Sequence, residues 1–141
     1  MILKVCVPTS DGFTVFKGHL GDAPNFEIYE LREKGHTLLE RRKNVPFDEK
    51  GHGDQKKMEH ILGIVGDCDL FIGSVLSPNF LNLRDKTSIQ PVVSKLDEIE
   101  KTLESLKKHS EDLEELVARR RKGERPHKIP MISPDEIKML E

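Results

Sequence analysis

Apolar positions follow two regimes along this chain. Up to about residue 93 they gather in short runs; beyond it they thin to single residues in a charged background. Ile2 to Val7 is an apolar run closed by Pro8, the pattern of a buried strand. Thr9-Ser10-Asp11-Gly12 is turn chemistry, and Phe13, Thr14 and Val15 can form a brief second strand. Phe26, Ile28 and Tyr29 open another strand, which Glu33-Lys34-Gly35 turns back through Thr37-Leu38-Leu39-Glu40 as an antiparallel hairpin. Asn44 to Asp54 is polar and Gly-rich and reads as a loop, with Asp54 placed to cap the next helix. Met58, Ile61, Leu62 and Val65 have helical spacing, and Gly66 ends that helix. Leu70-Phe71-Ile72 is a short buried strand, Ser77-Pro78-Asn79 opens a helical turn, and Ile89 to Val93 is a further strand. Strand–helix–strand order with short links implies parallel strands joined by right-handed crossovers. The expected fold class is α/β with a mixed sheet and flanking helices.

The second regime is helical. Leu96, Ile99, Leu103, Leu106, Leu113 and Val117 recur at alternating three- and four-residue steps, and Ser110 is the one seam position that is not apolar. This predicts one long helix from about Ser94 to Arg121 with a coiled-coil-like stripe. The stripe has two destinations that the pattern does not separate: the chain's own sheet, or a helical partner, most simply a second copy in a homodimer. Arg119-Arg120-Arg121-Lys122 close the helix where its dipole favours cations. Gly123 to Pro130 reads as a flexible link. Ser133-Pro134-Asp135-Glu136 has the capping-box pattern with Pro at the first helical position, which predicts a short terminal helix to Leu140. The expected organisation is an α/β domain over 1–93, a long amphipathic helix over 94–122 and a tail over 123–141.

Composition narrows the partners. Charged residues make up 34% of the chain and the formal net charge is -2, which argues against nucleic-acid binding by a general basic field. No apolar run approaches the ~20 residues of a membrane span. Met1 to Val5 lead straight into a strand without a signal-peptide pattern, so a cytoplasmic protein is expected. Cys6 and Cys68 do not form a Cys-x-x-Cys pair; both read as reduced, structural thiols.

Candidate chemistry sits in loops. Gly18-His19-Leu20-Gly21-Asp22-Ala23-Pro24-Asn25-Phe26 is unsuited to a helix or central strand and presents an imidazole able to bind a metal. Gly51-His52-Gly53-Asp54 is a second glycine-flanked histidine. Ligands of open α/β sheets bind beyond the carboxyl ends of parallel strands. That rule selects Pro8 to Gly12, with Ser10, and Gly73 to Asn79, with Ser74, Ser77 and Asn79 at a helix start that can receive an anion. The candidate binding residues are therefore His19, His52, Ser10, Ser74, Ser77 and Asn79, with His19 and His52 as metal ligands. His36, His60, His109 and His127 lack companion ligands at metal-site spacing. No nucleophile elbow or phosphate-binding loop is present, so no catalytic residue is assigned. Asp11, Asp22, Asp54, Asp67 and Asp69 are scattered, and a hydrolase would need several of them to meet.

In this order, Val7-Pro8-Thr9-Ser10-Asp11-Gly12, His19-Leu20-Gly21-Asp22-Ala23-Pro24-Asn25-Phe26, His52-Gly53 and Gly73 through Pro78-Asn79 resemble the dinitrogenase iron–molybdenum cofactor family over about residues 1–93. Leu20 stands where the family has an aromatic, and Ser74 and Ser77 where it favours glycine. The resemblance implies a ribonuclease-H-like α/β fold without nuclease activity. It also implies binding of an iron–sulfur or iron–molybdenum cluster, with His19 the principal ligand. A non-enzymatic metallocluster- or anion-binding protein is thus the leading expectation. The rival is an interaction module that dimerises or recruits a partner through its C-terminal helix.

Overall fold

The computed structural model describes residues 1–44, 54–134 and 136–140, with the side chains of Leu20, Asp54 and Gln55 left aside. His52 and most of the Asn44–Asp54 loop lie outside the described residues, as does any cap made by the Asp54 side chain. The strands are β1 (Leu3–Thr9), β2 (Asn25–Arg32), β3 (Gly35–Lys43), β4 (Leu70–Gly73), β5 (Gln90–Ser94), β6 (Ile129–Ile132) and β7 (Ile137–Leu140). The helices are α1 (Asp54–Val65), α2 (Pro78–Lys86), α3 (Ile99–Lys108) and α4 (Ser110–Arg121). All seven strands form one mixed sheet of order β3-β2-β1-β4-β5-β6-β7. Strands β3, β2 and β1 pair antiparallel; β1, β4, β5 and β6 are parallel; β7 returns antiparallel on β6. Among the described residues, no helix is long and apolar enough to cross a membrane.

Alternation along the strands divides two cores. Leu3, Val5 and Val7 of β1 join Leu70, Ile72 and Val92 on the face covered by α3 and α4. Cys6, Phe26, Ile28, Phe71 and Val93 point the other way, under α1 and α2, where Cys68 is also buried. Burial raises the pKa of the Cys6 thiol, and the neighbouring Cys68 adds to the effect. Central strands are covered on both faces, which explains why β1 reads as a continuous apolar run rather than an alternating one.

Four features differ from the sequence pattern. Phe13 to Val15 form no strand, and Thr14 makes only an isolated antiparallel bridge with Glu98. The long helix is two helices, which meet at His109 (φ -115°, ψ 28°). The break lets α3 lie against β2 and α4 against β5, and it falls beside Ser110, the polar position in the seam. The apolar stripe packs on the chain's own sheet: Ile99, Leu103, Leu106, Leu113 and Val117 are buried there and Leu96 is partly buried. Those side chains are part of the chain's own core. Finally, residues 129–132 and 137–140 are the last two strands rather than part of a link and a terminal helix. Ser133 closes their turn, its N–H bonding Glu136 O at 2.9 Å, where the capping box was expected.

Candidate functional site

The carboxyl ends of β1, β4 and β5 form the edge that the switch-point rule selects. The first loop there is built by a single carboxylate. Asp11 Oδ1 accepts from the backbone N–H of Phe13 and of Thr14, both at 2.8 Å, and Asp11 Oδ2 from Thr14 Oγ1 at 2.9 Å. Thr9 Oγ1 donates to Thr14 O at 2.7 Å and accepts from Gly12 N–H at 3.0 Å. Gly12 takes φ 82°, a left-handed conformation that disfavours other residues. These bonds, Thr14 before Phe13, lower the Asp11 pKa from 3.8 to about 2. A depressed carboxyl stabilises the folded form fully above its ordinary pKa and loses that contribution as pH falls through the folded value. As pH falls from 4 through 2 and below, the amide signals of Phe13 and Thr14 should therefore titrate with a midpoint near 2, and stay flat in Asp11→Asn. A midpoint at the ordinary carboxylate value would show that the turn is not held this way.

The next loop carries His19. Its backbone is extended (φ -66°, ψ 147°) and leads into a 3₁₀ turn over Leu20–Asp22, where Asp22 N–H bonds His19 O at 3.0 Å. The His19 side chain is exposed. Asn44 Nδ2 holds the far side of the loop through Gly21 O and Ala23 O, at 2.9 and 2.8 Å. Gly21 lies against α1, for a Cβ there would meet the Lys57 side chain.

The third loop follows β4 and is tied to the second. Ser74 Oγ donates to Phe16 O at 3.0 Å. Pro8, Phe16, Gly18, Gly73, Ser74 and Ser77 line one narrow crevice between the two loops. Ser77 caps α2, its Oγ accepting from Phe80 N–H at 3.2 Å, with Pro78 in the first turn. Gly73 is required by packing, since a Cβ there would come within 2.7 Å of the Phe80 ring. Asn79 stands in the first turn of α2, and its Oδ1 is buried with no hydrogen-bond partner among the described residues. Ser10 is exposed and shares a shallow depression with Phe16, Lys17 and Gly18.

Of the candidate residues, Ser74 and Ser77 share the crevice, Ser10 lies in the neighbouring depression that also borders Phe16 and Gly18, and Asn79 lines neither; His19 follows Gly18 in the chain. Ser74 and Ser77 direct their hydroxyls at backbone groups. Two cations on the same edge were missed by sequence reasoning. Lys17 pairs with Asp97 at 2.5 Å, and Lys95 Nζ donates to Ser74 O at 3.2 Å. Both flank a depression of about 270 Å³ that also involves Val15, Val75 and Leu96. The signal was available: Lys17 precedes Gly18-His19, and Lys95 follows β5 at its carboxyl end.

Among the described aspartates, Asp11 does not meet Asp67 or Asp69. Asp67 and Asp69 precede β4, at the opposite end of the sheet from Asp11. Asp67 is held by Arg42 at 2.6 Å and Lys4 at 3.1 Å, and these bonds, Arg42 first, hold its pKa well below the usual carboxylate range. Asp69 accepts from Lys4 N–H and from Arg121 Nη2. Glu27 is the buried carboxylate that sequence reasoning passed over. It accepts from Tyr29 OH at 2.7 Å and from Arg41 Nη2 at 2.5 Å. Burial and that bond raise the Tyr29 pKa well above its ordinary value. An acid inside the apolar strand Phe26–Leu31, with arginine across the hairpin, was its signal. The described residues contain no group of three His, Cys, Asp or Glu able to hold a metal ion.

Comparison with known proteins gives one positive finding. No curated protein matches the chain. A family profile described as dinitrogenase iron-molybdenum cofactor matches residues 1–109, a span from β1 through α3 that includes the whole edge described above. The chain belongs to the dinitrogenase iron-molybdenum cofactor family.

Proposed function

We propose that the protein is a non-enzymatic carrier that holds an anionic iron–sulfur or iron–molybdenum cluster, as cargo, at the edge where β1 and β4 end. The observation that carries this reading is the Ser74–Phe16 hydrogen bond. It joins the segment that leads into His19 to the loop that leads into α2, so that both border the crevice lined by Phe16, Gly18, Gly73, Ser74 and Ser77. Lys95 adds positive charge on the same rim, where Lys17 is paired with Asp97. The strand order β3-β2-β1-β4-β5 supports the ribonuclease-H-like arrangement that the family resemblance implies. His19 offers one ring nitrogen, and the described residues add no three-ligand set. Such a site suits a carrier whose cargo keeps open coordination positions for its next host, rather than a resident centre closed by protein ligands.

The test is anaerobic loading with iron and sulfide, followed by gel filtration and measurement of retained iron, sulfide and visible absorption. His19→Ala should lower retention by about tenfold, the scale seen when support of a metal ligand is lost. Its melting temperature should stay unchanged, because an exposed loop side chain contributes little to stability. His52→Ala is the companion variant. Equal retention in wild type and in the His19 variant would overturn the assignment.

A further inference from the structure

The basic run at the end of α4 is not a uniform solvated face. Arg120 turns inward and is only 1% exposed. Its guanidinium donates to Gln90 Oε1 at 2.6 Å, Arg84 O at 2.8 Å, Pro126 O at 2.9 Å and Thr87 O at 3.1 Å. Every acceptor is neutral, so the guanidinium hydrogen-bonds no carboxylate, and Asp85 acts on its charge only at longer range. Burial lowers its pKa only to about 10, which leaves it cationic at neutral pH.

The loop that follows is fixed by its carbonyls. Pro126 O accepts from Arg120, His127 O from Arg84 Nη1 at 3.3 Å and Lys128 O from Gln90 Nε2 at 3.0 Å. With these carbonyls engaged, Arg125, His127 and Lys128 are exposed, next to exposed Lys122. Lys86, at the end of α2 beside the Arg84 and Thr87 acceptors, is exposed as well. The nearby acids are already taken: Asp85 by Arg84, Glu124 by Arg119 and Asp69 by Arg121. Among the described residues, Lys86, Lys122, Arg125 and Lys128 have no acidic partner. A chain of net charge -2 therefore gathers unneutralised positive charge at one end.

We propose that the surface formed by Lys86, Lys122, Arg125 and Lys128, organised around buried Arg120, docks an acidic segment of a partner protein. Charge complementarity selects the occupant. Among the described residues, the exposed large apolar ones are Met1, Ile2, Phe13, Leu38, Leu39, Val75 and Leu76, and none belongs to this surface. It therefore lacks the aromatic platforms that single-stranded nucleic acid stacks on and the apolar side chains that enter a bilayer interface. Its position is also telling. Gln90 begins β5 and Asp69 precedes β4, so the surface lies at the amino ends of the parallel strands, opposite the His19 edge. Docking here leaves that edge uncovered. The pinned loop carbonyls reduce the ordering that binding must impose.

The test uses the full chain without cargo, so it stands apart from the cluster reading. A labelled peptide rich in Glu and Asp is titrated with protein at about 50 mM and about 300 mM salt, conditions that differ strongly in screening. Binding should weaken by at least about tenfold across that range and be lost in Lys86→Glu/Lys122→Glu/Lys128→Glu, whose side chains make no hydrogen bond in the fold. The variant Lys34→Glu/Lys43→Glu/Lys108→Glu changes net charge equally and should bind as wild type does. Equal binding by both triple variants would overturn the proposal. So would tighter binding of duplex DNA or phosphatidylserine vesicles than of the peptide at the same salt.

Discussion

Cutting the chain after Ser94 leaves a product with no cooperative unfolding transition. The reason is the face of the sheet that α3 and α4 cover. Leu103, Leu106 and Leu113 are fully buried, and Ile99 and Val117 are 2% exposed, against Leu3, Val5, Val7, Leu70, Ile72 and Val92. Each buried side chain of this kind is worth roughly 1.5–3 kcal/mol, so five of them match the whole stability of about 5–15 kcal/mol expected of a domain. The cut also removes β6 from the edge of β5 and strips Gln90 of its Arg120 partner. Circular dichroism melting and dye binding to exposed apolar surface on residues 1–94 check this. A sigmoidal melt would refute it. The full chain carrying Leu103→Glu with Leu106→Glu should fail in the same way, by loss of the fold rather than by release of a folded monomer from a dimer.

That expectation takes one of the two destinations that the spacing left open for the stripe. A three- and four-residue rhythm states that one helix face is apolar; it does not state what covers that face. The break at His109 is also invisible locally. It depends on α3 having to reach β2 while α4 returns over β5, which is a property of the assembled sheet. The last two strands were hidden for a related reason. Ile129-Pro130-Met131-Ile132 contains a proline, a residue confined within sheets to edges, strand starts and bulges. It is tolerated because the register with β5 begins at Met131. By contrast, β1, the β2–β3 hairpin, α1, β4, α2 and β5 were legible, because their signals are local: Pro8 near the end of β1 and Gly12 after it, the two-residue Glu33-Lys34 turn, Gly66 after α1, and Ser77-Pro78 before α2.

The edge was legible to the same degree. Glycine and proline mark the His19 loop as irregular, and strand order places it at a carboxyl end. The bond that ties Ser74 to Phe16 spans most of the domain, and sequence carries no trace of it. Serines at a ligand-facing position look alike whether their hydroxyls are free or engaged. Ser74 and Ser77 are engaged, while Lys17 and Lys95 become visible only once β1 and β5 are known to end on the same side.

Replacing Arg120 by methionine should lower stability by about 3–5 kcal/mol, because four buried neutral acceptors lose the donor they share. Methionine restores much of the volume but none of the donors. The carbonyls of Arg84, Thr87 and Pro126 and the Gln90 amide oxygen would each lose a bond they make only with this guanidinium. Leaving a buried acceptor unmade costs about 1–3 kcal/mol, and partial relaxation of the 123–128 loop toward water keeps the total below the simple sum. Lysine in the same place retains the charge but presents a point-like ammonium in place of the planar fork. It cannot serve acceptors on α2, β5 and the loop together, so Arg120→Lys should fall between methionine and wild type. The effect is global because Arg120 joins α4 to three other segments of the chain. Urea unfolding would report it as a lower midpoint at unchanged slope, with a fall in melting temperature of roughly 10–20 °C. A loss under about 1 kcal/mol would show that water can take over the four acceptors, and that the guanidinium is an occupant of this junction rather than its fastener.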